Sequence, residues 1–211
     1  MIFNFSRKPK FTTRVSMNEQ VLPVIRETKL LGTVISDDLK WDKNTAEIVR
    51  KGNARLLLLR RAREYTNSRA DLKTIYIAFI RSLLEQSSSI WHSSLTQENT
   101  TDIERVQKSA LRIIQREKFI DYETSLRELD LETLQERRKK LALKFAINCK
   151  SNEKTKHLFP PKEKKHKMVK RHEEKYKIKY AKKKRLKISS VPYMQALLNE
   201  YENTKKQDTK Q

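Results

Sequence analysis

Two adjacent carboxylates, Asp37 and Asp38, have the residue types and spacing that could do chemistry. Carboxylate oxygens are the ligands that Mg²⁺ prefers, and enzymes that transfer phosphoryl groups hold paired metal ions with aspartates. The pair follows Ile35 and Ser36, no tyrosine stands two residues before it, and no aspartate precedes it in the sequence. We therefore interpret the pair as turn and helix-cap carboxylates and not as a catalytic dyad.

Few other residues have the types and spacing of known catalytic or metal sites. Cys149 is the only cysteine, and one thiol with four scattered histidines forms neither a disulfide nor a Cys-rich zinc site. With only two glycines, the sequence has no glycine-rich phosphate loop, no dinucleotide fingerprint and no G-x-S-x-G elbow. His92, beside Trp91, could be a ligand or a base, but we interpret it as a packed, hydrogen-bonded residue. The sequence thus predicts no cofactor, no metal site and no catalytic residue.

The charge of the chain indicates a polyanionic partner. The 48 Lys and Arg residues exceed the 26 Asp and Glu residues, which gives a formal net charge of +22 at pH 7. Because Lys and Arg displace the counterions condensed on phosphate chains, we expect nucleic acid as the partner, with an acidic membrane surface as the competing interpretation. The sequence has no run of about 18 apolar residues and no signal peptide. It therefore predicts no membrane span and a location in the nucleus or cytoplasm.

The basic residues form two groups. The first lies on a long predicted helix, where Lys51 and Arg55 are spaced i, i+4 and could contact successive phosphates. For any single residue there, a solvated helix surface is an equal alternative. The second group lies in residues 154–187, with 16 Lys or Arg against three Glu, and Lys182–Arg185 also matches a nuclear-import pattern. The predicted nucleic-acid-binding residues are Lys51, Arg55, Arg60, Arg61, Lys164, Lys165, Lys182, Lys183, Lys184 and Arg185.

Apolar periodicity divides the chain into three parts. Residues 1–43 contain short runs that predict a small antiparallel β-meander, with Leu30–Ile35 as its strongest, buried strand. Residues 44–150 have helical periodicity and predict a helical bundle. Residues 151–211 form a basic tail, partly disordered because like charges repel, with a short helix around Val191–Leu198 that docks on the body. The predicted fold class is therefore mostly α with a small N-terminal β-meander (α+β), followed by the basic tail.

About five helices are expected in the middle part. The strongest has an amphipathic stripe over Leu72–Leu84. The last runs from about residue 131 to residue 150 and directs Leu134, Leu141, Phe145 and Cys149 inward. The predicted helix caps are Asp42 or Asn44, Ser68 or Asp71, and Thr101 or Asp102.

Several blocks resemble the reverse transcriptases of non-LTR retrotransposons, the Jockey-like elements of animals. Thr28–Trp41 resembles the stretch that closes the palm subdomain, and Met1–Phe5 resembles the first strand after the catalytic hairpin. Together the blocks cover about residues 1–150, and the tail is similar in character to the ends of the same proteins. The blocks that resemble the segments after the palm are Ile75-Tyr76, Ile80–Glu85, Trp91–Leu95 and Ile103–Ala110.

The resemblance implies a piece of the enzyme that begins after the polymerase active site, at an internal methionine. It would comprise the palm end, the thumb and the C-terminal extension, without the fingers, the first catalytic aspartate or the Tyr-x-Asp-Asp hairpin. Such a remnant lacks polymerase activity but holds an RNA–DNA or DNA duplex by its backbone, without reading sequence. With about six phosphates neutralised, log K falls with log salt at a slope near −5. We expect removal of residues 151–211 to at least halve this slope.

Two other interpretations remain open. The block from Leu30 to about Arg63 also resembles the N-terminal domain of the AlkB homologue that modifies tRNA wobble uridines, but the His-x-Asp motif of a dioxygenase and the glycine-rich loop of a methyltransferase are absent. The chain could instead be a basic helical adaptor that holds a protein partner. Burial of the Leu72–Leu84 stripe within the monomer favours the thumb, whereas exposure favours the adaptor. Met1–Phe5, without a palm neighbour, would leave a strand edge open to self-association.

Overall fold

The computed structural model of the chain describes residues 15–161, 176, 178 and 184–208, with the side chains of all but 184, 185 and 206–208. The predicted Met1–Phe5 strand, its open edge and the partial disorder of the tail fall largely outside these residues and stay predictions. The described strands are β1 (Ser16–Met17), β2 (Gln20–Val21), β3 (Glu27–Leu30) and β4 (Thr33–Ser36). The described α-helices are α1 (Asp42–Tyr65), α2 (Arg69–Ile75), α3 (Ser82–Glu85), α4 (Ser88–Trp91), α5 (Gln97–Gln115), α6 (Tyr122–Glu128), α7 (Leu134–Ser151), α8 (Lys184–Lys187) and α9 (Ser190–Asp208).

The fold is mostly helical with a small N-terminal antiparallel β part, which confirms the predicted fold class. The β part differs from the predicted meander, because within the described residues β1 pairs with β2 alone and β3 with β4 alone. Among the described residues, no helix is long and apolar enough to cross a bilayer.

The prediction of one buried strand over Leu30–Ile35 is wrong. The chain reverses direction at Leu31 and Gly32, and the φ of Gly32 is +85°. The segment is therefore the tip of the β3–β4 hairpin, where Leu31 is 87% exposed. Glycine adopts this left-handed conformation without the steric conflict that a β-carbon would bring. The hairpin packs on α1 through β4, where the amide of Val34 donates to Oδ1 of Asn44 at 3.0 Å. Asn44 thus ties the hairpin to α1 and does not cap the helix.

Helices α1 and α5 pack side by side and run in the same direction. Asn99 donates to Asp42 at their beginnings, at 2.7 Å, and Arg63 donates to the carbonyl of Ile114 at their ends, at 3.0 Å. Between these contacts a β-carbon on Gly52 would lie 3.0 Å from Cγ1 of Val106 and 3.1 Å from Cδ2 of Leu84. Glycine therefore allows α1 to approach both α5 and α3 closely.

The apolar stripe over Leu72–Leu84 is buried, as the thumb interpretation expects. Helix α2, capped by Ser68 as predicted, continues through a π-helical segment, Tyr76–Arg81, into α3. Leu72, Tyr76, Ile80, Leu83 and Leu84 are buried. Phe79, predicted to belong to the stripe, is 52% exposed. A π turn shifts the phase of the helix relative to a regular 3.6-residue period, so Phe79 is rotated outward.

The cap of α5 is Thr96, five residues before the predicted cap Thr101 and six before Asp102. The side chain of Thr96 accepts from the amide of Asn99 at 3.1 Å and caps the helix. The polar residues from 97 to 102 carry little apolar periodicity, which is why the pattern alone placed the start too late. The side chain of Asn99, oriented in this first turn, makes the contact with Asp42.

A buried polar network joins α5 to its neighbours. The hydroxyl of Tyr76 donates to Oε1 of Gln107, whose Nε2 donates to the hydroxyl of Tyr122 at 2.8 Å and the carbonyl of Glu132 at 2.9 Å. Tyr122 donates to Glu104 at 2.6 Å. The hydroxyl and amide groups of Tyr76, Gln107 and Tyr122 thus all have partners, which is the condition under which such a network stabilises a core. The network holds the π segment, α6 and the start of α7 against α5.

The C-terminal helix α9 docks on α7, as predicted, but is 19 residues long rather than short. A second apolar cluster forms between them. Phe145 of α7 was predicted to face inward and is 46% exposed, because α7 buries the face that carries Ala142, Ala146 and Cys149 instead. The cluster comprises Ala142, Ala146, Cys149, Phe159, Tyr176, Met194, Leu197 and Leu198.

Replacing Gly52 with valine should lower the free energy of unfolding by about 1–3 kcal/mol, because the added side chain must displace Val106 and Leu84 in a filled core. Urea denaturation measures the change. Ala54→Val is the matched control, since Ala54 is exposed on the same helix and its replacement adds only the lower helix propensity of valine, about 0.5 kcal/mol. Equal losses in the two variants would contradict the close approach of the helices.

Candidate nucleic-acid interface

The C-terminal ends of α1 and α5 form a basic surface. Because the two helices run in the same direction, their last turns lie side by side, as the contact between Arg63 and the Ile114 carbonyl shows. Both helices end in cationic residues, and the 3₁₀ turn Arg116–Lys118 after α5 adds more. We call this surface the basic end. Its members are Arg60, Arg61, Arg63, Arg112, Arg116 and Lys118.

Three arginines of the basic end are available to a ligand. Arg60, Arg61 and Arg116 are exposed, and none of them pairs with a carboxylate within the part of the chain that the structure describes. Arg112 differs, because its guanidinium carbon lies 5.2 Å from the centre of the Phe119 ring. Arginine presents its donors in a planar fork that matches the oxygens of a phosphate, so the three free side chains are suited to phosphodiester contacts.

Carboxylates near the basic end neutralise only part of its charge. Glu128 lies 3.8 Å from Arg69 and accepts from Gln115 at 2.9 Å, so it is already engaged. Glu117 and Lys118 line an open depression together with Arg69, Ile120 and Glu128. The six cations of the basic end therefore outnumber these two carboxylates, Glu117 and Glu128, and the local charge is positive.

Cations at the C-terminus of a helix also have a structural role, since they interact favourably with the unpaired carbonyls of the last turn. Arg63 has this role, because it donates to a carbonyl at the end of α5. Arg60 and Arg61 precede the last turn of α1, which ends at Tyr65. Successive helix positions differ by about 100° around the axis, so these two side chains extend in different directions from α1. Their charges are not used to cap a helix.

Lys51 and Arg55 have partners within the chain, and the phosphate contacts expected of the pair stay a prediction. Lys51 lies 3.0 Å from Glu47, and Arg55 donates to the carbonyl of Phe79 in the π segment. The i, i+4 spacing does place both residues on one face of α1, as predicted, but this face adjoins the π segment and not the exposed arginines. The structure therefore separates them from Arg60 and Arg61.

The predicted tail residues are only partly within the described chain. Lys164, Lys165, Lys182 and Lys183 lie outside the described residues. Lys184 and Arg185 begin the short helix α8, for which the backbone alone is described at these two positions. Their contribution to binding stays a prediction.

Asp37 and Asp38 lie in the turn between β4 and α1. Oδ1 of Asp38 accepts from the hydroxyl of Ser36 at 2.6 Å and from the amide of Lys40 at 3.0 Å. The turn prediction is confirmed for Asp38, but the helix-cap prediction is wrong, because no side chain caps the beginning of α1. Within the described residues, no group of three or more His, Cys, Asp or Glu side chains is arranged to hold a metal ion.

His92 is packed and hydrogen-bonded, as predicted. Its Nδ1 lies 3.4 Å from Nε of Arg138, and its ring meets that of Tyr193 edge to face at 5.8 Å. Nε of Arg138 is always a donor, so Nδ1 is the acceptor and the proton of the neutral ring is on Nε2. Burial, with a smaller effect from the charge of Arg138, lowers the pKa of His92 to about 4.

Sequence reasoning missed Arg112, Arg116 and Lys118. The available signal was the concentration of cations in the last turns of two long amphipathic helices. That signal could not show that the two ends meet, because a parallel and an antiparallel packing of α1 and α5 bury the same apolar positions.

Lowering the pH from 7 to 4 should remove stability that neutral His92 contributes. An unfolded histidine has a pKa near 6.5, so the unfolded chain binds this proton at a pH where the folded chain does not. The contribution is therefore present above about pH 6.5 and is lost as the pH falls toward 4. With solvent screening at a half-buried ring it amounts to about 1–2 kcal/mol.

Urea denaturation of the wild type and of His92→Gln, each at pH 7 and pH 4.5, measures this contribution, with exposed His157→Gln as the control. The stability difference between the wild type and His92→Gln should shrink at the lower pH. A difference that is the same at both pH values would contradict the assignment.

Comparisons of the chain with protein-family models, curated proteins and solved structures found no match. The basic end is therefore assigned from the charge and geometry of this chain alone.

Proposed function

We propose that this chain binds the backbone of a nucleic-acid duplex without reading its sequence, and that it is a catalytically inactive remnant of a non-LTR retrotransposon reverse transcriptase. The observation that carries the binding proposal is the convergence of α1 and α5, which places exposed Arg60, Arg61 and Arg116 at one end of the bundle. The origin is supported by the ordered blocks of resemblance between Thr28 and Ala110.

Binding of this kind is electrostatic. Each Lys or Arg that neutralises a phosphate releases condensed counterions, and the entropy of their release drives association. Backbone contacts carry no sequence information, so an RNA–DNA hybrid and a DNA duplex are both suitable ligands. Three arginines account for only part of the six contacts expected, and the cations of the tail are candidates for the rest.

The adaptor interpretation has weaker support. It needs an exposed apolar stripe on α2 and α3, and five of the residues between Leu72 and Leu84 are buried in the monomer. The apolar residues that remain on the surface of this region include Leu57, Leu58 and Phe79. Leu57 and Leu58 are adjacent on α1 and extend about 100° apart, so they do not form one docking stripe.

Deleting residues 151–211 is a poor test of the tail, although the sequence suggests it. Helix α9 covers Ala142, Ala146 and Cys149 of α7, so the deletion would expose this apolar face along with removing charge. Loss of binding could then result from loss of folding. Replacing single cations leaves the apolar clusters intact and is the cleaner experiment.

Replacing Arg60, Arg61 and Arg116 with glutamine should make the slope of log K against log salt shallower by about 2 to 3, because each lost phosphate contact removes about 0.9 from it. Fluorescence anisotropy between 50 and 200 mM salt, with two duplexes of unrelated sequence, measures the slope. The two duplexes should give the same values.

The control variant carries Lys43→Gln, Arg105→Gln and Lys140→Gln. These three cations are exposed and pair with Glu27, Asp102 and Glu132, so the net charge falls by the same amount elsewhere on the molecule. Its slope should stay within about 1 of the wild type. Equal changes in both variants would show that net charge, and not the basic end, determines binding.

A further inference from the structure

Arg138 is a fully buried arginine whose two terminal nitrogens have no partner. Its relative exposure is 0%, and neither Nη1 nor Nη2 makes a hydrogen bond within the described residues. Only Nε is engaged, by Nδ1 of His92 at 3.4 Å, while the guanidinium carbon lies 5.8 Å from the ring centre of Trp91. A buried charge without a counterion is strongly unfavourable, and burial lowers the pKa of Arg138.

The carboxylates whose charge reaches Arg138 are held by other groups. Glu85 and Glu104 both act on the guanidinium through space. Glu85 pairs with Arg137 at 2.5 Å and with Arg81 at 3.8 Å. Both oxygens of Glu104 also have partners: one accepts from the Tyr122 hydroxyl at 2.6 Å and the other from the amide of Gln135 at 2.7 Å. The fold thus brings carboxylates near Arg138 without supplying a counterion to it.

Arg138 lies at the junction of the two apolar clusters. It shares the buried face of α7 with Leu134 of the first cluster and Ala142 of the second. Helix α9 covers this junction, since Tyr193 packs against His92, which in turn contacts Arg138. The hydroxyl of Ser93, which follows His92 in the sequence, is also buried and has no partner within the described residues.

We propose that Arg138 is the centre of a second, covered anion site that takes one phosphate group when α9 lifts from α7. The free edge of the guanidinium offers two parallel donors, the geometry that binds two oxygens of one phosphate. Ser93, which follows the Arg138 contact His92 in the sequence, has a further unpartnered hydroxyl among the described residues. The ligand supplies the counterion that the described residues do not provide. The site does not involve the basic end, so the test of this site is independent of the test of the proposed function.

Helix α9 is suited to act as the cover. Among the described residues, Lys139 and Glu200 of its contact with α7 pair at 3.6 Å on the surface, where such pairs contribute little. Lys150 pairs with Glu202 at 2.9 Å, and the Glu202 side chain is 19% exposed. Two of the α7 residues beneath it are alanines, which bury little area. Opening of such a terminal element needs less free energy than unfolding of the whole chain.

Trp91 provides the reporter, because its ring faces Arg138. In the full-length Trp41→Phe variant, Trp91 is the only tryptophan. Its fluorescence is measured during a titration with sodium phosphate, and in a second titration with a DNA duplex at equal phosphate concentration. A titration with sodium chloride at matched ionic strength is the control. We expect a saturable change that chloride does not produce. A change with both ligands, or with either alone, supports the site and identifies free phosphate or phosphodiester as its source.

Substitutions in the same background test the assignment. Arg138→Met should abolish the change, Arg138→Lys should weaken it at least tenfold, and Lys144→Met, which removes an exposed cation of the same helix, should leave it intact. Leu198→Ala, which loosens α9, should lower the half-saturating phosphate concentration several-fold, because less binding energy is spent on opening. No saturable change in the parent, or an undiminished change in Arg138→Lys, would overturn the proposal, even if Arg138→Met fails to fold.

Discussion

Gly52 lies between Val106 and Leu84 at distances that a β-carbon would fill. The absence of a side chain lets α1 pack closely on α5 and on α3 at once. This close packing also allows the contacts at both ends of the α1–α5 pair. Asn99 reaches Asp42 at one end, and Arg63 reaches the last carbonyls of α5 at the other. The basic end exists because these two helices are parallel and in close contact along their length. A change in their packing would separate arginines that no direct contact holds together.

The polar groups in the core determine which further elements can join this pair. Gln107 accepts from Tyr76 and donates to Tyr122 and to the carbonyl of Glu132, so one side chain specifies the positions of three segments. Glu104 then accepts from amides at the start of α7. Because these groups are satisfied only in one arrangement, they fix where α7 begins and hence where Arg138 lies. The burial of an unpartnered guanidinium follows from this placement and from the cover that α9 provides.

Periodicity and turn chemistry were sufficient for the local features of the fold. The apolar stripe from Leu72, the cap at Ser68 and the turn at Asp38 each depend on residues within one or two helical turns, and all were predicted. The errors arose where distant contacts decide. Leu31 lies in the turn of a hairpin because β4 pairs with β3 and packs on α1. Phe79 is exposed because the π turn rotates its side chain away from the core. For the site, charge alone predicted Arg60 and Arg61. Only the packing of the helices shows that Arg116 lies at the same end of the bundle and that Lys51 and Arg55 face the π segment instead.

The two proposed anion sites respond to salt in opposite ways. At the basic end the arginines are exposed, so added salt screens them and weakens binding directly. Around Arg138 the low-dielectric surroundings protect the charge from screening, whereas the surface pair of Lys139 and Glu200 is screened and holds α9 less firmly. Moderate salt therefore favours opening of the covered site while it loosens a duplex from the basic end. Salt dependence therefore distinguishes the two sites, although the same chemical group is proposed as the ligand of both.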